Sequence, residues 1–136
     1  RICLKMNDKE TINQILQMKT IAVVGMSPKP ERPSHYVALY LRDNGYKIIP
    51  VNPSQREIAG ETCYPSIKDI PKPVDVVDVF RRPEHVLPIS KATVEIGARA
   101  LWLQDGVINE DGAELAKNAG LLVVMNDCML RQHRQI

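Results

Sequence analysis

Five short runs of Val, Ile and Leu, set apart by polar segments long enough for a helix, constrain this chain more than any other feature. They are "TIAVVG" (20–25), "YKIIPV" (46–51), "PVDVVDVF" (73–80), "RALWLQ" (99–104) and "GLLVVM" (120–125). Each is nearly continuous rather than alternating, the pattern of strands covered on both faces. Strands that alternate with helical segments form a parallel sheet with helices on both sides. Right-handed crossovers leave few windings for such a sheet, and the expected one is an α/β, doubly wound, five-stranded arrangement of order 3-2-1-4-5.

The segments between the runs carry helix punctuation. An opening helix is expected over about residues 8–18. Ser34 can cap "SHYVALYLRDNG", which Asn44-Gly45 stops. "RPEHVLPISKATVEIGA" reads as helical from Glu84, with Pro88 tolerable near its first turn. Asn109 can cap "NEDGAELAKNAG", with acids in the first turn and Gly120 at the exit. Residues 52–73 read as irregular, with a short helix at most around Ser66–Ile70. No repeat or linker divides the 136 residues. One domain is expected over 1–136: an N-terminal helix (1–19), a core (20–130) and a tail (131–136).

Charge and cysteine usage narrow the function classes. A net charge of +2 leaves no global field to gather polyanions, so any anion site must be built locally. With 4% aromatic residues and no basic stripe, nucleic acid is not an expected partner. No apolar run approaches the ~20 residues of a membrane span, and "RICLKMNDKE" lacks the apolar block of a signal peptide. Cys3, Cys63 and Cys128 are odd in number and form no CxxC pair, which argues against a disulfide framework and a structural zinc site. A reducing, cytoplasmic setting is the expectation. The chain opens on Arg1 rather than Met, and the expectation is that it lacks part of its native start.

Ligands on doubly wound sheets bind beyond the carboxyl ends of the strands, where the strand order reverses. The residues just after each run are therefore the candidates. After the first run, "GMSPKPERPSH" keeps Gly25 but has Ser27 and Pro30 where a dinucleotide fingerprint would continue with glycine. Gly25 and Met26 can form the turn, the following helix offers free N–H groups, and Lys29 and Arg32 add charge. The loop suits phosphate, and the plain alternative is a proline-stiffened loop with solvated cations. After the second run, Asn52 and Pro53 stand where NAD binders place a ribose-reading acid, with Arg56 close behind. An ordinary Asn-Pro turn is the competing explanation.

The third run ends in Phe80, Arg81 and Arg82. Phe80 could face an adenine or finish the core, and the core reading is favoured on composition. Asp78, inside this apolar run, needs a neighbouring donor, an arginine among the candidates. The fourth run contains Trp102, read as core, and ends at Gln104-Asp105-Gly106, where Gly106 permits close backbone approach. The fifth leads to Asn126 and Cys128, with His133 beyond. Cys128 is either a small buried hydrophobe or a reactive thiol, and a Cys128–His133 pair lacks an evident third group.

Taken together, "G-x-S-x-K-P-x-R-P-S", "V-N-P", "F-R-R-P-E" and "W-L-Q-x-G" at these intervals resemble the small single-domain CoA-binding family. That family is similar to the CoA-binding domain of the succinyl-CoA synthetase α subunit and of ADP-forming acyl-CoA synthetases. The resemblance covers about Thr20 to Leu130 and implies a Rossmann-like domain that binds coenzyme A or an acyl-CoA. It places Gly25, Ser27, Lys29 and Arg32 around phosphate, Asn52 and Pro53 at the adenosine end, and Phe80, Arg81, Gln104 and Gly106 at the third and fourth turns. Two positions depart from the family pattern: Asp127 replaces a basic residue before Cys128, and Gln132 replaces an acid before His133.

The residue chemistry agrees with this implication. Coenzyme A carries a pyrophosphate and a ribose 3′-phosphate, so its site needs more cations than an NAD site and no opposing acid. A binding module without complete catalytic machinery is the favoured expectation. None of His35, His85 and His133 lies in a motif that marks a phosphorylated histidine. A partner protein or a homo-oligomer could supply further parts. The alternatives are a thiol-exchange or redox-linked CoA carrier acting through Cys128, and an NADP-binding module in which Arg56 meets the ribose phosphate. A receiver-type fold would need an aspartate after the third run and a lysine after the fifth, where Phe80-Arg81 and Asn126-Asp127 stand.

Overall fold

A fully buried strand lies at the centre of the sheet. In the computed structural model, which describes residues 6–136, β5 (Val76–Val79) is buried at all four positions. It pairs in parallel with β1 (Thr20–Val24) on one side and β6 (Ala100–Leu103) on the other. The sheet continues through β2 (Lys47–Val51) beyond β1 and β7 (Leu122–Met125) beyond β6, giving the order β2-β1-β5-β6-β7, parallel throughout. Cys3 and the first residues of the expected 1–19 segment lie outside the described residues.

The α/β class, the five parallel strands and the reversal of winding at β1 are as expected. The place of one run differs from the expected order: 76–79 lies directly beside β1, not beyond β2. The position outside β2 is taken by a single parallel bridge between Val51 and Tyr64. Counted as a rudimentary third strand, that bridge makes the series read 3-2-1-4-5-6. Burial explains the arrangement. Lys47 opens β2 exposed, which an edge tolerates, whereas β5 has no polar residue to face water except Asp78.

Each sheet face carries its own helices. Ile21, Val23, Val76 and Trp102 pack under α1 (Lys9–Leu16), α2 (Pro33–Asp43) and α5 (Met129–His133). Ala22, Val77, Leu101 and Val123 pack under α3 (Val86–Glu95) and α4 (Glu110–Asn118). At about 25 cal/mol per Å² of apolar surface removed from water, these two layers supply the main drive for folding. The two helices of the second face, α3 and α4, approach each other closely. A Cβ on Gly112 would lie 2.8 Å from Val86 Cγ1, and Ser90 Oγ donates to Gly112 O at 2.6 Å.

Local details refine the sequence reading. Asn109 caps α4 as expected, accepting from Gly112 N. Ser34 does not cap α2: Arg32 holds the cap position and Pro33 begins the helix, since its missing N–H costs nothing there. Ser66 caps a 3₁₀ turn at Ile67–Asp69, and a second 3₁₀ turn, Pro83–His85, leads into α3. The segment read as irregular holds an antiparallel pair, β3 (Glu57–Ile58) and β4 (Glu61–Thr62), joined through positive φ at Ala59 and Gly60. The expected tail is also structured, because Arg131–His133 complete α5.

Candidate functional site

Because β1 is followed by β2 on one side and flanked by β5 on the other, the loops leaving β1 and β5 diverge from a shared seam. Gly25 sits on that seam at φ +85°, and its N–H donates to Val51 O at 2.9 Å. A Cβ there would lie 2.7 Å from Phe80 O and 2.9 Å from Arg81 Cδ. Glycine is thus needed for its dihedral and for the contact. The rest of the loop is braced against the first turn of α2. Ser27 N donates to Ser34 Oγ (2.9 Å), Lys29 N to Ser27 Oγ (3.1 Å), and His35 Nδ1 to Ser27 O (2.8 Å).

A cleft of about 1170 Å³ opens over this seam. It gathers nine of the residues singled out from sequence: Gly25, Ser27 and Arg32 from the first loop, Phe80, Arg81 and Arg82 from the third, Gln104 and Gly106 from the fourth, and Cys128 from the fifth. Phe80 packs against the core, as favoured from composition, and also lines the cleft. Arg81 also borders a smaller cavity of about 300 Å³, shared with Pro53, Pro65, Ile67 and Ile89.

The other candidates stand elsewhere. Met26 is fully buried, and its carbonyl accepts from Asn52 of the neighbouring loop. Lys29 and Arg56 are exposed and do not line the cleft. Asn52 spends its amide internally, donating to Met26 O at 3.0 Å and accepting from Ser54 N at 2.8 Å. Asn126, at φ 61°, accepts from Gly106 N at 2.8 Å and so ties the fourth loop to the fifth.

Sequence reasoning missed the contribution of α2 and α5. Tyr36 and Val37 form one wall, and Leu130, Arg131, Arg134 and Gln135 another. The signal available was the basic pair Arg131/Arg134, one helical turn apart just after the fifth loop. Arg131 is held by both Asp105 oxygens (3.0 and 2.8 Å) and by Asp127 Oδ1 (2.8 Å). Its hydrogen bonds hold the Asp105 carboxyl below the usual range. Asp127 also accepts from Cys128 N and from Gln132 Nε2. The two departures from the family pattern, Asp127 and Gln132, therefore bond to each other.

The Cys128–His133 pair that the sequence left open does not form. The His133 ring hydrogen-bonds Tyr40 OH at 2.8 Å and stands edge-on to Tyr40 and Tyr46. Asp78 does have the donor its burial demanded, but that donor is Gln104 Nε2 at 2.7 Å and not an arginine. Burial pushes the Asp78 carboxyl up to about 8. Between the ordinary 3.8 and that value, the folded chain holds a proton that the unfolded chain releases. Stability from this group is therefore full below the ordinary range and is lost as pH rises through the window. Trp102 is core, as expected, and its Nε1 donates to Asp127 O at 2.9 Å.

Among the described residues, no helix is long and apolar enough to cross a membrane, and no group of three or more His, Cys, Asp or Glu side chains could hold a metal ion.

Comparison with known proteins gives one family. Residues 19–134 match the sequence model of the CoA binding domain. The Bacillus subtilis protein YneT is 41% identical over 126 residues, spanning 92% of this chain and 93% of YneT. A hypothetical protein from Pyrococcus horikoshii, 39% identical, superposes with a TM-score of 0.91 over 99% of this chain and 98% of that one. The ADP-forming acetate–CoA ligase II of Archaeoglobus fulgidus is 29% identical over 109 residues, which is 78% of this chain but 16% of the ligase. By the match over residues 19–134, the chain belongs to the CoA binding domain family.

Proposed function

We propose that the cleft binds coenzyme A or an acyl-CoA, and that the protein is a cofactor-binding module rather than a self-sufficient enzyme. One observation carries the reading: Arg32, Arg81 and Arg82 converge on a glycine seam at the carboxyl edge of the sheet. Charged donors of this kind suit a pyrophosphate, which they contact with stronger hydrogen bonds than neutral groups make. The smaller cavity beside Pro53 takes the flat adenine, Arg81 stands between base and phosphates, and the pantetheine arm runs along the larger cleft toward Gln104 and Cys128. Stiff prolines in the first loop reduce the ordering cost of binding. A partner protein or a second copy of the chain would supply any chemistry beyond binding. Free Cys63 and Cys128 fit a reducing, cytoplasmic compartment.

Parallel calorimetric titrations with CoA and NADP test the reading. CoA binds in preference, and Arg81→Ala and Arg32→Ala each weaken it by about 1–3 kcal/mol. Lys29→Ala, outside the cleft, costs less. A preference for NADP, or affinity unchanged in Arg81→Ala, overturns the assignment.

A further inference from the structure

Beneath the cleft floor lies a carboxylate that binding alone does not explain. Asp78 is fully buried, and its strand neighbours in register are Val23 and Trp102. Its Oδ1 accepts from Gln104 Nε2, while Oδ2 has no partner. Among the described residues it is the one side-chain oxygen or nitrogen both sealed from solvent and unpaired. Among the described residues Gln104 Oε1 also has no hydrogen-bond partner, yet it is not sealed in this way, and Gln104 lines the cleft. The amide therefore turns its NH₂ inward to Asp78 and its carbonyl oxygen outward.

The two ends of a glutamine amide have the same shape and opposite hydrogen-bonding sense. An ionised carboxylate accepts only, so it holds the NH₂ end inward. A protonated one has an O–H to give, and the best acceptor in reach is Gln104 Oε1 once the amide has rotated. We propose that Asp78 is a positioning residue: by holding or releasing one proton it selects which end of the Gln104 amide faces the cleft, and so whether a bound ligand meets an acceptor or a donor there. The step is uptake of one proton from solvent on Asp78 with a half-turn of the Gln104 amide. No covalent bond other than the new O–H changes.

The surroundings leave this pair to itself. β1 and β6 present apolar side chains in register with Asp78. Of the titratable groups on the bordering elements, His35 of α2 is held by Ser27 O, and Asp105, Asp127 and Arg131 bind one another. Arg32, Arg81, Arg82 and Cys128 line the cleft, and His133 is bound to Tyr40. Gln104 is the hydrogen-bond partner of Asp78, and burial, opposed by that one bond, sets its affinity for the proton. The ligand half of the inference rests on the cofactor reading above; the amide selection does not.

Nuclear magnetic resonance on the ligand-free wild-type protein separates the two. The ¹³C carboxyl signal of Asp78 and the side-chain ¹⁵NH₂ signals of Gln104 should move together with a midpoint near 8. In Asp78→Asn the Gln104 signals should not respond to pH. The affinity for CoA should then change by roughly three- to tenfold across the same window in the wild type, relative to Asp78→Asn, in which the titrations of CoA itself remain. An Asp78 carboxyl that titrates in the ordinary acidic range, or Gln104 signals that stay still while it titrates, overturns the selector. CoA binding with parallel pH profiles in both proteins overturns its effect on the ligand. If Gln104 titrates as described and CoA binds at no pH, the cofactor reading fails and the selector stands.

Discussion

The loops after β1 and β2 leave adjacent strands at the same edge of the sheet, and both mix proline, serine and cations. They use these residues in opposite ways. After β1, the backbone is pinned by Ser27, Ser34 and His35, and this bracing leaves the Arg32 side chain open to the cleft. After β2, Asn52 spends both ends of its amide on Met26 O and Ser54 N, and Cys63 N closes the turn onto Arg56 O. One loop is braced with a cation left facing the cleft; the other is part of the brace. Similar composition does not distinguish them, because the difference lies in where each polar atom finds its partner.

Two substitutions sharpen this contrast. The larger effect is expected at Gly25→Ala, which combines a left-handed φ with a Cβ against Phe80 O. Backbone strain alone should lower stability by roughly 1–3 kcal/mol, and opening the seam should weaken CoA binding as well. Denaturant melts and calorimetry measure both, and a Gly25→Ala protein that melts like the wild type would show that the seam is not a tight contact. The smaller effect belongs to Asn52→Ala. Losing two internal hydrogen bonds should cost about 1–2 kcal/mol of stability, with a smaller loss of CoA affinity than Arg81→Ala produces. Intact stability with a larger loss of affinity would reverse the roles given to the two loops.

Much of the fold was legible because apolar runs report burial directly. The five strands, the Asn109 cap and the reversal at β1 follow from local pattern. The neighbour of β1 was not legible, since every run is apolar and only three-dimensional packing sets Val76–Val79 beside it. Ser34 looked like a helix cap from its position, but Pro33 is better suited to start the helix, and that releases the serine to hold Ser27. In the site, Gly25, Arg81 and Gln104 could be found because strand ends converge by topology. Arg134 and Tyr36 could not, since their place in the cleft depends on how α5 and α2 pack. The partner of Asp78 was hidden for the same reason: Gln104 meets it from the end of the adjacent strand, 26 residues away in sequence.

Backbone-amide shifts followed by nuclear magnetic resonance while CoA is added to ¹⁵N-labelled protein test the central claim most directly. The largest changes are expected at Gly25–Arg32, Phe80–Arg82 and Gln104–Gly106, at the carboxyl edge of β1, β5 and β6. Changes confined to the opposite edge, around Arg99 and Gly120, or none at saturating CoA, would contradict it.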